Sequence, residues 1–274
     1  MRSAGAELND VWFTDADHGW AVGDFATILA TVDGGVDWIP LSAAKLSPVA
    51  EIAAVCFVDE KTGCAAGNAI DSTFTMSTTD GGRTWRVRDA PGRGYPFDIC
   101  FVDERHGWFV GAVGSIYSTS DGGRHWRRQR SGVEKDEAFL NGVCFVDRER
   151  GWVVGGSDEG PVLLSTIDGG SHWERRDCGA PDELLGVTFS DATHGCVVGR
   201  KSFVAVTADG RSWLKRKPDP NSRAFYEAFA LDAQMMWAIG EEGMIWVTED
   251  GGQTWMLQHS GTSANLAGIS VISD

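Results

Sequence analysis

Three residues have side chains that could carry acid/base or nucleophilic chemistry. Asp98 and Glu227 each lie near the start of a short apolar run, PFDICF and FYEAFA, and Tyr226 immediately precedes Glu227. Two carboxyl groups at a suitable separation could hydrolyse a glycosidic bond, one as the acid and the other as the base or nucleophile. Tyr226 and Glu227, however, occupy consecutive positions of a predicted strand, which face opposite ways. Asp98, Tyr226 and Glu227 are therefore catalytic candidates only, and none is assigned as catalytic.

The six cysteines raise the question of a disulfide or metal site. Cys56, Cys100 and Cys144 share one position of an internal repeat, and Cys64 and Cys196 share another that is otherwise occupied by Trp. Residues that replace one another in this way behave as buried apolar groups, and no C-x-x-C spacing occurs. A three-thiolate site formed by the first three remains an alternative. We predict six free thiols, which suit a reducing compartment, with no bound metal and no cofactor.

The histidines follow the same repeat. His18, His106 and His194 fill one turn position, and His125 and His172 each precede a repeated tryptophan. This regular placement favours a structural role, and no Ser/His/Asp arrangement stands out.

A box of the form TVDGGVDW organises the chain. It occurs at residues 31–38 and recurs five times, once in a shortened form, with its first aspartate at positions 33, 80, 121, 168, 209 and 250. A short Asp side chain can accept hydrogen bonds from its own turn, and the glycines permit positive φ angles. The box is therefore predicted to be structural, with its closing Trp packed between sheets.

Each repeat also contains four short β-branched and aromatic runs separated by turn residues, and no segment has helical periodicity. A repeat of 41 or 47 residues fits one propeller blade. We predict an all-β propeller of six four-stranded blades, with seven blades, one of them incomplete, as the alternative. The single domain spans 1–274, with blades at 8–42, 52–90, 97–130, 140–177, 184–217 and 225–260. Residues 265–273 are predicted to be a closing strand.

The box fits the pattern S/T-x-D-x-G-x-x-W, the Asp-box or BNR repeat, and the segment F-V-D-x-x-H-G-W-x-V-G precedes it. Together these motifs resemble the photosystem II assembly and stability factor-like propellers over residues 8–260. The resemblance implies a non-catalytic binding or assembly factor that docks a protein segment. It also implies a docking face with a basic, arginine-containing patch, whereas this chain has a net charge of −15.

Asp-boxes also occur in sialidases and other glycosidases, so a carbohydrate-active propeller is the alternative. A sialidase-like site would need an arginine triad, for which Arg93, Arg200 and Arg223 are candidates, and a Tyr–Glu nucleophile pair. The R-I-P segment of that class is missing. An enzyme is therefore the less favoured class.

The net charge and the N-terminal sequence limit the kinds of partner and the cellular location that we expect. A net charge of −15 repels nucleic acid and anionic membrane surfaces, and no long apolar run could insert into a membrane. The partner is predicted to be a protein segment, a small molecule or a glycan, and the protein a monomer. Without an apolar leader the expected location is the cytoplasm, or outside it if a leader has been removed.

Loop lengths indicate a working face. Three-residue insertions fall in the loops between strands two and three of blades two (68–72) and four (156–160), and in the linkers entering those blades. All lie opposite the Asp-boxes, and insertions on one face often mark a binding surface. The predicted contact residues on this channel face are Arg93, Tyr95, Asp98, Asn141, Asp158, Glu159, Arg200, Arg223, Tyr226, Glu227 and Glu241.

Overall fold

The computed structural model describes residues 6–70, 72–92, 95–133 and 137–272. Within these ranges the regular structure is strand, apart from a 3-10 turn at Glu241–Gly243. The strands form six antiparallel sheets of four, each with its strands in sequence order. The predicted fold class, all-β with six four-stranded propeller blades, is confirmed.

The chain divides into two compact units. The first comprises the described residues up to Ala112 together with Ile116–Arg128 and Ile272, and the second comprises Val113–Ser115 and the described part of Gln129–Val271. Apart from Ser115 and Gln129, at the ends of two strands, the first unit holds sheets one to three and the second holds sheets four to six.

The strands of the first three sheets are β1 Leu8–Phe13, β2 Gly19–Gly23, β3 Thr27–Thr31, β4 Ile39–Pro40, β5 Glu51–Phe57, β6 Gly63–Ala69, β7 Ser72–Thr78, β8 Arg86–Asp89, β9 Pro96–Phe101, β10 Gly107–Gly111, β11 Ser115–Thr119 and β12 Arg127–Gln129. Those of the last three are β13 Phe139–Phe145, β14 Gly151–Ser157, β15 Gly160–Thr166, β16 Glu174–Arg175, β17 Leu184–Phe189, β18 Gly195–Gly199, β19 Phe203–Thr207, β20 Leu214–Arg216, β21 Phe225–Ala230, β22 Met236–Gly240, β23 Met244–Thr248 and β24 Met256–His259.

The Asp-box closes the turn between the third and fourth strands of each sheet. In the first copy the Thr31 hydroxyl donates to Oδ1 of Asp33 at 2.7 Å and accepts the N–H of Gly35 at 2.9 Å. The same oxygen of Asp33 accepts the N–H of Asp37 at 3.0 Å. The carboxylate is thus engaged by its own turn, which supports the structural interpretation.

The His-Gly turn between the first and second strands is equally self-contained. In the third sheet Asp103 accepts the N–H of Arg105 at 2.8 Å, and its carboxylate contacts Nδ1 of His106 at 2.9 Å. The next residue, Gly107, lies against the ring of Phe101, and a Cβ there would come within 2.6 Å of the ring carbons. Only glycine leaves room for the aromatic ring at this point.

The predicted insertions lengthen hairpins rather than forming wide loops. Strands β6, β7, β14 and β15 have seven residues each, whereas the corresponding strands of the other sheets have five. Ala69 pairs with Ser72, and Ser157 pairs with Gly160. The interpretation of 68–72 and 156–160 as loops is therefore corrected, because most of these residues continue the backbone ladder; Asp71 lies outside the described residues.

The shared Trp/Cys position of the second strands is part of the core, as predicted. Five of its six residues are at most 6% exposed: Trp20, Cys64, Trp108, Trp152 and Cys196. The sixth, Trp237, is half-buried. The box tryptophans are less enclosed: Trp85 is buried, and the other five are half-buried. The prediction that the box Trp is fully packed between sheets is thus too strong.

The C-terminal tail forms no strand within residues 260–272, so the predicted closing strand is not present there; residue 273 lies outside the described residues. The backbone N–H of Leu266 donates to the carbonyl of Gly240, and that of Ile269 donates to a side chain. A strand requires a continuous ladder with a neighbouring backbone, which these separated contacts do not make.

Candidate functional site

A chain of polar contacts joins the beginnings of the inner strands of the fourth and fifth sheets. Asn141 donates through Nδ2 to Oε1 of Glu183 at 2.9 Å and to the carbonyl of Leu184 at 2.9 Å. The second carboxylate oxygen of Glu183 accepts from Nε of Arg200 at 2.9 Å. These residues lie at the ends of their sheets opposite the Asp-boxes, and their role in binding stays a prediction.

The sixth sheet continues this arrangement through Tyr226. Its hydroxyl donates to Oε1 of Glu241 at 3.4 Å, and Oε2 of Glu241 accepts the N–H of Ala224 at 2.8 Å. Burial raises the pKa of Tyr226, and the charge of Glu241 adds to the rise against the opposing charge of Arg200. The phenol therefore stays protonated at neutral pH and acts as a hydrogen-bond donor.

Arg223 is a structural clamp on the linker before the sixth sheet. Its Nε and Nη2 donate to the two carboxylate oxygens of Asp219 at 3.1 Å each, and Nη1 donates to Glu242 at 3.1 Å. The Asp219 side chain is 1% exposed. Burial opposes ionisation of Asp219, but the hydrogen bonds from Arg223 outweigh it and lower the pKa to about 2. Arg223 is thus already occupied within the chain.

The catalytic candidates do not form the constellation that a sialidase needs. Tyr226 contacts Glu241, while the carboxylate of Glu227 accepts the N–H of Ile269 at 2.9 Å. A tyrosine nucleophile is activated by a lowered pKa or an adjacent base, whereas the pKa of Tyr226 is raised.

Of the predicted arginine triad, only Arg200 and Arg223 lie within the described residues. Arg200 and Arg223 are each paired with carboxylates, and Arg93 lies outside the described residues. The other predicted contact residues are dispersed. Asp158 is exposed in a hairpin turn, and Glu159 beside it lies 3.8 Å from a guanidinium nitrogen of an outer-strand arginine.

In the first unit, Tyr95 is 48% exposed just before β9, and Asp98 lies within that strand. Oδ1 of Asp98 accepts the N–H of Ile99 at 2.7 Å. Its charge acts on Asp10, whose carboxylate accepts the N–H of Val55 at 2.8 Å. Asp10 was not among the predicted site residues, although it occupies the same third position of its strand as Asp98 does.

The cysteines are all free thiols, as predicted. Cys56 and Cys64 are buried at the inner strands of the second sheet, and burial raises the pKa of Cys64. Among the residues that the structure describes, no group of three or more His, Cys, Asp or Glu side chains is placed to hold a metal ion.

A cleft of about 410 Å³ lies at the Asp-box end of the second and third sheets. Four arginines line it, together with hydroxyl groups and two carboxylates: Arg86, Arg88, Arg105, Arg124, Thr62, Ser77, Thr84, Glu104 and Asp121. In the part of the chain that the structure describes, none of the four guanidinium groups forms an ion pair; Arg105 donates to the carbonyl of Ser120 at 3.2 Å. This cleft was not predicted.

The cleft exists because Cys64 replaces a tryptophan. In the first sheet the equivalent Trp20 stacks on Phe57, the last residue of the next inner strand, and donates Nε1 to the box carbonyl of Gly81 at 3.0 Å. In the second sheet Cys64 and the box glycine Gly122 both line the cleft. A thiol fills far less volume than an indole, so the space remains open.

The sequence contained a signal for the arginines. The fourth strands of the second and third repeats read WRVRD and WRRQR, beginning at the box Trp85 and Trp126. The net charge of −15 is a sum over the whole chain, and it concealed this local excess of positive charge.

Comparison with known proteins decides the family. Three successive segments, residues 3–89, 83–181 and 176–269, match the family model described as photosynthesis system II assembly factor YCF48. The chain belongs to this family. Photosystem II stability/assembly factor HCF136, chloroplastic, from Guillardia theta is 47% identical over 47 residues, which are 16% of this chain and 12% of that protein. The match thus spans only 12% of that relative's length.

Solved structures agree on the fold. The structure titled YCF48 bound to D1 peptide has a TM-score of 0.73 at 24% identity, covering 92% of this chain and 80% of that one. YCF48 from Cyanidioschyzon merolae has a TM-score of 0.75 at 20% identity, covering 95% and 87%. The GH74 xyloglucanase from Xanthomonas campestris has a TM-score of 0.73 at 15% identity, covering 92% of this chain but 45% of the enzyme. Identities this low establish the fold alone.

Proposed function

We propose that this family member is a non-catalytic docking factor that binds an acidic segment of another protein in the cleft lined by Arg86, Arg88, Arg105 and Arg124, here called the arginine cleft. The observation that carries the proposal is that four arginines line one cleft, and that none of them forms an ion pair among the described residues. In a chain of net charge −15, such a cluster is selective for anionic groups.

The chemistry of the cleft fits carboxylates. A guanidinium group offers a planar fork of donors that matches a carboxylate in bidentate fashion. Thr62, Ser77 and Thr84 add hydroxyl groups that can donate to further oxygens. The cleft is open and polar, which suits a peptide with Asp, Glu or a free C-terminal carboxylate better than an apolar cofactor.

The family supports a protein partner over a glycan. One relative is solved as YCF48 bound to D1 peptide, so a peptide is a ligand of another family member. A carbohydrate-active role has less support, because the GH74 likeness concerns the fold and the Tyr226 and Arg200 side chains are committed to Glu241 and Glu183. We retain the predictions of a monomer and of a reducing, cytoplasm-like compartment; six free thiols support the latter.

Restoring the missing indole tests the cleft directly. Cys64→Trp should place a ring beside Phe101, as Trp20 lies on Phe57, and fill the arginine cleft. With a fluorescein-labelled oligoglutamate peptide as the probe, we expect fluorescence anisotropy to show an affinity loss of about tenfold or more, equivalent to about 1.4 kcal/mol. Added salt should weaken the wild-type interaction, because the contacts are ionic and partly exposed.

The matched control is Cys64→Ala, which leaves the cleft open and should retain binding. Arg86→Ala and Arg88→Ala should each weaken binding while leaving the thermal melt nearly unchanged, since neither side chain makes an ion pair in the described structure. An oligolysine peptide of equal length should not compete with oligoglutamate for the arginine cleft. If the oligoglutamate peptide binds Cys64→Trp as well as it binds the wild type, the proposed site is wrong.

A further inference from the structure

The C-terminal tail lies on the predicted channel-face residues of the sixth sheet. The N–H of Leu266 donates to the carbonyl of Gly240 at 3.0 Å, and the N–H of Ile269 donates to the carboxylate of Glu227 at 2.9 Å. Asn265 accepts the N–H of Glu242 through Oδ1 at 3.2 Å. Three hydrogen bonds thus hold the tail: two through its backbone N–H groups, at Leu266 and Ile269, and one through the side-chain amide of Asn265.

The surface beneath the tail is organised by the sheet itself. Tyr226 is fixed by its hydrogen bond to Glu241, and Glu241 by the N–H of Ala224. The amide of Asn265 reaches the Tyr226 hydroxyl only at 3.5 Å. Tyr226 therefore has a partner within the sixth sheet that holds its hydroxyl in place independently of the tail, as a preorganised binding surface requires.

The described part of the tail, residues 260–272, contains no fully buried residue. Ala264, Asn265 and Ala267 are exposed, and Leu266 and Ile269 are only half-buried. Residues 261–272, GTSANLAGISVI, carry no charged side chain in a chain that is 23% charged. An uncharged segment matches a surface whose charged neighbours are Glu227, Glu241 and Glu242, because it brings no like charge to them.

We propose that this end of the sixth sheet is a second docking surface, selective for an extended, uncharged or basic peptide segment of a protein partner, and that the chain's own tail is its resident occupant. A partner segment binds by displacing residues 265–271. It needs an amide side chain near Tyr226 and Glu242 and, four residues later, a backbone N–H directed at Glu227. The selectivity for charge is opposite to that of the arginine cleft.

The test uses the full chain and a labelled peptide with the sequence of residues 261–272. In the wild type the tethered tail competes at high effective concentration, so the added peptide should bind weakly. Ile269→Pro removes the N–H that donates to Glu227, and we expect it to bind the peptide about tenfold more tightly than the wild type does. Ala267→Pro is the matched control, because Ala267 is exposed and contributes no hydrogen bond in the described structure.

Adding Glu227→Gln to the Ile269→Pro chain should lower the affinity for the peptide again, because the charged hydrogen-bond acceptor is lost. Equal affinity of the peptide for the wild type and Ile269→Pro, or no binding to a folded Ile269→Pro chain, would overturn the proposal. If Ile269→Pro does not fold, hydrogen exchange on the wild type decides. The amide of Ile269 should exchange many-fold faster than amides within β21, and equally slow exchange would mean a permanently fixed tail.

Binding at this second docking surface is expected to be independent of binding in the arginine cleft. Arg86→Ala should leave binding of the tail peptide unchanged, and Ile269→Pro should leave binding of oligoglutamate unchanged. Failure of one proposal can therefore be distinguished from failure of the other.

Discussion

The indole of Trp20 stacks on the ring of Phe57, with the ring centroids 3.6 Å apart and the planes inclined by 8°. Trp152 and Phe189 form the same pair in the second unit, with centroids 3.5 Å apart. In each pair the tryptophan belongs to the second strand of one sheet and the phenylalanine ends the first strand of the next sheet. The contact therefore joins consecutive sheets within a unit.

Removal of one of these rings should be costly. Trp152 is 4% exposed, so Trp152→Ala should lower the free energy of unfolding by about 3–5 kcal/mol, as truncation of a buried aromatic generally does. Urea denaturation followed by circular dichroism measures the change. Ile167→Ala, at a position 78% exposed in the same repeat, is the control and should change stability by less than about 0.5 kcal/mol. A small effect at Trp152 would argue against the stacking as a major stabilising contact.

The repeat pattern was sufficient to predict the sheets, because every box and His-Gly turn is closed by its own side chains. Asp33 and Asp103 hydrogen-bond within their own turns, so the local sequence determines the local backbone. The arginine cleft could not be predicted in this way. Treating Cys64 and Trp20 as equivalent apolar residues is correct for burial but disregards the difference in their volume, which only the packing against the next sheet reveals.

Some features of the site residues could be predicted from the sequence and others could not, because only some of them are determined by the repeat. Asn141 and Tyr226 are at the predicted sheet ends, since strand alternation and loop position follow from sequence. The pairing of Arg223 with Asp219 depends on how one linker folds, and no repeat supplies that information. The apolar pattern of the tail resembles a first strand, but a strand also needs a neighbouring edge, and the pattern alone does not show whether one is available.

Thiol titration should count six free cysteines after denaturation without reductant, in agreement with the structure. In the native protein, labelling should be slow at the four buried thiols and faster at Cys100 and Cys144, which are only half-buried. Burial raises the pKa of Cys178 to about 11, which further slows its reaction near neutral pH. A count of four or fewer in the denatured protein would instead show a disulfide.

Two arginines predicted as ligand contacts should differ in their effect on stability. Arg223→Ala leaves the carboxylate of Asp219 buried and without its main partner, which should destabilise the fold by about 3–5 kcal/mol. Arg200→Ala breaks an exposed pair with Glu183 and should cost less than about 1 kcal/mol. Because the pKa of Asp219 is lowered, its stabilising contribution is present above pH 4 and is lost as the pH falls towards 2. Equal melting temperatures for the two variants would contradict the assignment of Arg223 as a clamp.

The pH dependence of stability should show the titration of Asp10, whose side chain is half-buried. Burial raises its pKa to about 8, the N–H of Val55 opposes that rise, and the charge of Asp98 adds to it. A raised pKa means that the folded state holds the proton more tightly than the unfolded state does, so this contribution to stability is complete below about pH 4 and is lost as the pH rises to about 8. The free energy of unfolding should therefore fall between pH 5 and 8, by at most about 1.4 kcal/mol per pH unit.

Asp10→Asn removes the titrating group and should flatten this part of the curve, measured by urea denaturation at a series of pH values. Asp98→Asn removes the neighbouring charge, so it should shift the decline of stability to a lower pH without abolishing it. The two variants together separate the effect of burial from that of the neighbouring charge. An unchanged slope in Asp10→Asn would mean that another group takes up the proton on folding.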